Sequence, residues 1–236
     1  MTEFVGLPLT IKINPRAKRV LVKLVPGVGL EVVVPRGFDH ALVPDILLEK
    51  QRWIERTRDI LLAEGRDLSG ELPDLPNVID FKAWDRVYQV DYLERSGPVK
   101  VIENVARLQV SGPVEDRRSI FEALQIFTAK KAREVLLPRL EFMCRHTGLT
   151  YTALRIRRQK TRWGSCSARG TISLNAKLLF LPLELVDHLL LHELCHTRQL
   201  NHSKRYWALV ASYEPDYLRL EDEVKHGGKY VPRWFT

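Results

Sequence analysis

The pattern of apolar and polar positions changes character near residue 112. Before that point it is mostly strand-like. Val20-Leu21-Val22-Lys23-Leu24 and Leu30-Glu31-Val32-Val33-Val34 flank Pro26-Gly27-Val28-Gly29, which predicts a hairpin with glycine-rich turn chemistry. Pro35-Arg36-Gly37 closes the second strand. Asp39 is placed to cap a helix carrying Leu42, Ile46, Trp53, Ile54 and Leu61, with Gly65 as its stop. Pro73 and Pro76 punctuate a connector. Further strands are expected over Val87–Leu93, Val99–Ile102 and Leu108–Val110, with Ser96-Gly97-Pro98 as a turn.

After Gly112-Pro113, helical spacing takes over. Ile120, Leu124, Phe127, Val135 and Leu136 predict a helix from about Glu115 to Thr147, kinked or interrupted at Pro138 and closed by Gly148. Leu154–Arg157 and Thr171–Leu174 read as strands on either side of the turn-rich Trp163-Gly164-Ser165-Cys166-Ser167. Pro182 then opens a helix expected to run to about Leu200. No internal repeat is readable. The elements predict an α+β fold, with a β-rich N-terminal lobe containing one helix over residues 1–112 and a second lobe over residues 113–236.

The last of these helices carries the chemistry. His192-Glu193-Leu194-Cys195-His196 is an HExxH motif, and residues four apart on a helix face the same way. Two imidazoles so placed can share one zinc ion, while Glu193 projects to the side where it can reach an activated water. A catalytic zinc usually takes a third protein ligand. His202 is expected to supply it, if the chain reverses after Leu200 with Asn201 in the left-handed conformation. A carboxylate among Glu214, Asp216, Glu221, Asp222 and Glu223 is the alternative. His188, one turn before His192, either backs the metal ligands or simply packs. Cys195 faces away from the two histidines and is expected to be a buried small hydrophobe. Cys166 is either a thiolate nucleophile or an inert thiol.

Composition narrows the setting. Apolar residues make up 45% of the 236, enough for a core. No stretch reaches the roughly 18 apolar residues of a membrane-spanning helix. The start, Met1-Thr2-Glu3-Phe4-Val5, lacks secretory-signal features, and Cys144, Cys166 and Cys195 are too few for a disulfide framework. A cytoplasmic setting is therefore expected. The net charge of +8 fits either an anionic partner such as nucleic acid or a solvated basic surface. The run Arg155, Arg157, Arg158, Lys160, Arg162 keeps nucleic-acid association open.

Taken together, Arg162-Trp163-Gly164-Ser165-Cys166-Ser167, Leu174-Asn175, the HExxH run, Asn201-His202-Ser203, Tyr206-Trp207 and Pro215-Asp216-Tyr217 resemble the YgjP-like metallopeptidase family, a group of minimal zincins similar to the WLM and SprT-like proteases. Val34-Pro35-Arg36-Gly37 and the Trp53-Ile54 helix extend the resemblance into the N-terminal half. His188 and Tyr206 stand where the family often has an aromatic residue and Phe. The resemblance implies a zincin-like C-terminal lobe in which His192, His196 and His202 bind Zn2+ and Glu193 is the catalytic carboxylate. It further implies a protein or peptide substrate. In zincins an edge strand usually holds that substrate by β-addition, a role expected here for Thr171, Ile172, Ser173, Leu174 and Asn175. Tyr206 and Arg205 are candidates for steadying the oxyanion, with ordinary surface roles as the alternative. The competing expectation is a nucleic-acid-associated module whose metal is structural.

Overall fold

The computed structural model describes residues 2–25, 27–63 and 68–235. Pro26 of the expected hairpin turn and the expected helix stop Gly65 therefore lie outside the described residues. The chain divides into two compact units, residues 1–74 and 75–235.

The first unit holds β1 (Glu3–Phe4), β2 (Leu7–Ile13), β3 (Leu21–Val25) and β4 (Gly29–Val34), in the sheet order β1-β2-β4-β3. The expected hairpin is the antiparallel β3–β4 pair, whereas β2 joins β4 in parallel. All six residues of β4 are buried, as its central place in the sheet requires. Asp39 does act as a cap, accepting a hydrogen bond from the Ala41 amide, but it caps a short 3-10 turn over His40–Leu42. The single expected helix is divided into α1 (Val43–Glu49) and α2 (Gln51–Ala63). Val43, Leu47 and Ile54 join Leu30, Val32 and Val34 in the core of this unit.

The second unit begins with β5 (Val78–Phe81), β6 (Arg86–Glu94), β7 (Lys100–Asn104) and β8 (Arg107–Gly112), ordered β5-β6-β8-β7. Strand for strand this matches the order and polarity of the first sheet, β6 and β8 being its parallel pair. The repetition is one of topology, without a readable sequence repeat. Helix α3 (Arg117–Thr147) starts at Asp116, whose carboxylate accepts from the Ser119 amide, and ends at Gly148 with φ 70°. Pro138 lies inside α3 and does not interrupt it.

Ile79, Phe81, Tyr88, Leu108 and Val110 from the β5–β8 sheet share one core with Leu124, Phe127 and Leu136 of α3 and with Leu190 further on. The division expected after Gly112 thus falls within the second unit. The change in pattern there marks a change of element rather than the end of a core.

The remainder surrounds the site. β9 (Ala153–Arg157), β10 (Gly164–Cys166) and β11 (Thr171–Asn175) form a sheet in the order β10-β11-β9, and α4 (Leu183–Cys195), α5 (Lys204–Tyr213) and α6 (Tyr217–Lys225) follow. Helices, strands and mixed sheets make the fold α+β. Among the described residues, no helix is long and apolar enough to cross a membrane.

Leu136 is fully buried in the α3 core. Leu136→Ala is expected to destabilise the protein by about 2–5 kcal/mol, read from urea unfolding; an unchanged midpoint would contradict the assignment of this core.

Candidate metal centre

Helix α4, with Pro182 as its N-cap, buries Leu185, Val186, Leu190 and Leu194. It ends at Cys195, earlier than the apolar pattern suggests. The Thr197 amide bonds to the Leu194 carbonyl, and the Arg198 and Gln199 amides both reach the Cys195 carbonyl, tightening the last turn. Asn201 does not adopt positive φ; among the described non-glycine residues only Val5 and Asp85 do. The reversal is made by the 194–199 turn. Ser203 then caps α5 by accepting from the Tyr206 amide.

This path brings three imidazoles together. His202 Nε2 lies 3.1 Å from His192 Nε2 and 3.2 Å from His196 Nε2. Their other nitrogens show which atoms can act as ligands. His192 Nδ1 donates to the Glu221 carboxylate at 2.8 Å, and His196 Nδ1 donates to the Gln199 carbonyl at 2.9 Å. Carbonyl and carboxylate oxygens only accept, so both rings carry their proton on Nδ1 and turn a lone pair inward at Nε2. Burial, followed by the proximity of the other histidines, lowers the pKa values of His196 and His202 and favours the neutral rings a cation needs.

Such a convergence of lone pairs suits a metal ion. Tetrahedral zinc with bonds of about 2.0–2.1 Å sets its nitrogen ligands roughly 3.3–3.4 Å apart, close to the separations found. Among the described residues no fourth histidine, cysteine or carboxylate joins the group. The donor set is therefore that of an open site rather than a closed structural one.

Aromatic packing fixes the rings. Tyr206 stacks on His196 with centroids 4.5 Å apart, and Trp207 stacks on His202 at 5.5 Å. The Tyr206 hydroxyl is buried and donates to the His192 carbonyl at 3.1 Å. It is thus committed to the helix and unavailable to an oxyanion. Arg205 is exposed on α5.

Glu193 is only 4% exposed, and its Oε2 is buried without a hydrogen-bond partner. Burial alone pushes its pKa up to about 8. An unpartnered buried carboxylate oxygen on the residue next to His192 is poised for a proton-bearing ligand. Gly164 of β10 makes room for it: a Cβ there would lie 2.5 Å from Glu193 Oε1 and 2.9 Å from its Cγ. The glycine in Trp163-Gly164-Ser165 is needed for this close approach. Burial and the Glu193 charge raise the Cys166 thiol to about 11, the protonated, unreactive state. Burial raises Cys195 to about 12, as its place in the core implies.

The carboxylates considered as third ligands go elsewhere. Glu221 bonds the far side of the His192 ring and Glu214 bonds His188, while Asp216, Asp222 and Glu223 form surface ion pairs with Arg219 or Lys225. Glu221 is the site residue that sequence spacing did not single out. It lies 29 positions beyond His192 among several equivalent acids.

The edge position expected of Thr171–Asn175 is not the one β11 holds. Thr171–Asn175 is the central strand, paired antiparallel with β10 and parallel with β9. Both its backbone edges are filled, so it has none for a substrate. Asn175 instead anchors the loop before β10. Its amide nitrogen donates at 2.7 Å to the carbonyls of both Gln159 and Arg162, and its Oδ1 accepts from the Lys177 amide. The basic side chains of the Arg155–Arg162 run are exposed.

A buried carboxylate next to an HExxH histidine pair and a third converging histidine defines a metal-dependent peptidase. The family model described as YgjP-like, metallopeptidase domain matches residues 18–227, and the chain belongs to that family. No curated protein matches the chain. Among solved structures it is similar to the crystal structure of the metallopeptidase zymogen of Pyrococcus abyssi abylysin, with 30% identity over 36% of this chain and 87% of that one and a TM-score of 0.34.

Gly164→Ala is expected to displace the Glu193 carboxylate and destabilise the protein by about 1–3 kcal/mol through overpacking. A crystal structure and a urea melt of the variant check this; an unmoved Glu193 at full stability would contradict it.

Proposed function

We propose that this protein is a zinc-dependent peptidase with His192, His196 and His202 as metal ligands and Glu193 as general base and then general acid. The observation that carries the reading is the convergence of three Nε2 atoms, together with a buried carboxylate lacking a partner on the residue that follows His192. Zinc, when bound, supplies Lewis acidity to the scissile carbonyl and to the attacking water. The three imidazoles hold their positions through bonds already made by the Nδ1 atoms of His192 and His196 and through stacking on Tyr206 and Trp207. Glu193 takes the water's proton on its carboxylate and passes it to the departing amine nitrogen. Burial strengthens it as a base and excludes bulk water from the transfer.

Substrate binding is assigned to β10 in place of Thr171–Asn175. β10 is an edge of its sheet, and Gly164 in it touches the Glu193 side chain. A peptide adding to this edge would lie along the carboxylate. The three cysteines are unpaired, which supports a reducing, cytoplasmic setting.

The basic run supports a second assignment, association with nucleic acid. Arg155 and Arg157 are exposed on the edge strand β9, and Arg158, Lys160 and Arg162 follow in the loop anchored by Asn175. A fixed loop with outward cations matches a phosphate backbone.

Glu193→Gln is expected to retain stoichiometric zinc while peptide turnover falls about 10²–10⁴-fold. Metal analysis and a quenched-fluorescence peptide library measure both, and full turnover in this variant would sink the mechanism. Arg155→Glu with Arg157→Glu is expected to weaken DNA binding and flatten its salt dependence by about two counterions; unchanged binding would remove the second assignment.

A further inference from the structure

Three histidines, His188 and His192 in α4 and His196 at its C-cap, lie four residues apart, so spacing alone presents them as equivalent. Their partners do not. His188 is fully buried, with Nδ1 bonded to Glu214 and Nε2 3.1 Å from Glu221 Oε1. The same Oε1 accepts from His192 Nδ1 at 2.8 Å. The chain of contacts is therefore Glu214, His188, Glu221, His192, running from the start of the α5–α6 connection through α4 and α6 to the metal-facing ring.

Carboxylate oxygens of Glu214 and Glu221 face the two His188 nitrogens, so both are engaged away from the three converging Nε2 atoms. Glu221 accepts from two rings at once and fixes the tautomer of His192. With the Glu221 carboxylate accepting the Nδ1 hydrogen bond behind it, His192 becomes a stronger donor at Nε2. His196 has only the neutral Gln199 carbonyl behind it.

We infer that Glu214, His188 and Glu221 form a positioning relay that holds His192 as the Nδ1–H tautomer and raises the affinity of the centre for zinc. The relay rests on the metal-site assignment made above. His188, Glu221 and the Nδ1 face of His192 also lie within ligand distance of one another. The relay requires that this group hold protons and no second ion.

The test uses the full chain titrated with zinc against a chromogenic chelator. Wild type should bind one ion, and Glu221→Gln should bind it 10–100-fold more weakly. Glu223→Gln, on the same helix but in a surface pair with Arg219, should bind like wild type. The melting temperature of metal-free Glu221→Gln should stay within a few degrees of wild type, which separates positioning from simple unfolding. Long-range 15N–1H NMR of zinc-loaded wild type supplies a check that needs no variant: His192 should carry its proton on Nδ1. Equal zinc affinity in Glu221→Gln, two ions per wild-type chain, or a His192 proton on Nε2 would each overturn the relay. A wild type that binds no zinc would instead defeat the metal-site assignment itself, and the relay with it.

Discussion

An imidazole can hold one nitrogen towards a cation only if something else holds the other. This constraint organises the second unit. Helix α4 supplies ligand spacing, but spacing leaves each ring free to rotate and to choose its tautomer. Glu221 removes that freedom from His192 and the Gln199 carbonyl removes it from His196. The Gln199 carbonyl is available because α4 stops at Cys195 and turns tightly. Ending the helix there therefore both aims His196 and returns the chain so that His202 completes the group.

The packing around α4 follows from the same requirement. Its apolar side is set in a core shared with α3 and the β5–β8 sheet, so the metal-facing side is held by a large buried surface. Tyr206 links α5 to this arrangement twice, through its ring on His196 and its hydroxyl on the His192 carbonyl. A phenylalanine there could provide the ring contact alone. The hydroxyl adds a second donor, at 3.1 Å, to the His192 carbonyl, which the His196 amide reaches only at 3.4 Å.

The sequence is most informative where function depends on local spacing. His192 and His196 follow from a four-residue interval on a helix, and His202 from its position shortly after the helix ends. The α+β class, α3 with Gly148 at its end, and most strands follow from periodicity and turn residues. Contacts between distant residues are not legible in this way. Glu221 is one of several acids after α5, and nothing local distinguishes it until α6 is packed against α4. The unit boundary was obscured for a related reason: Gly112-Pro113 ends a strand emphatically, yet Phe81 and Phe127 on either side of it stack in one core. Strand order was the third hidden feature. Thr171–Asn175 alternates as an edge strand could, but β9 joins it in parallel from before the loop and β10 in antiparallel from after it.

That strand order also explains a residue that local propensity does not. Gly164 has no positive φ to account for it. β11 is central, so β10 becomes the edge lying against Glu193, and any side chain at Gly164 would occupy the space of the carboxylate. The glycine, the buried acid and the edge strand are thus consequences of one arrangement. A strand pressed this closely against α4 leaves Glu193 little room and shields it from solvent.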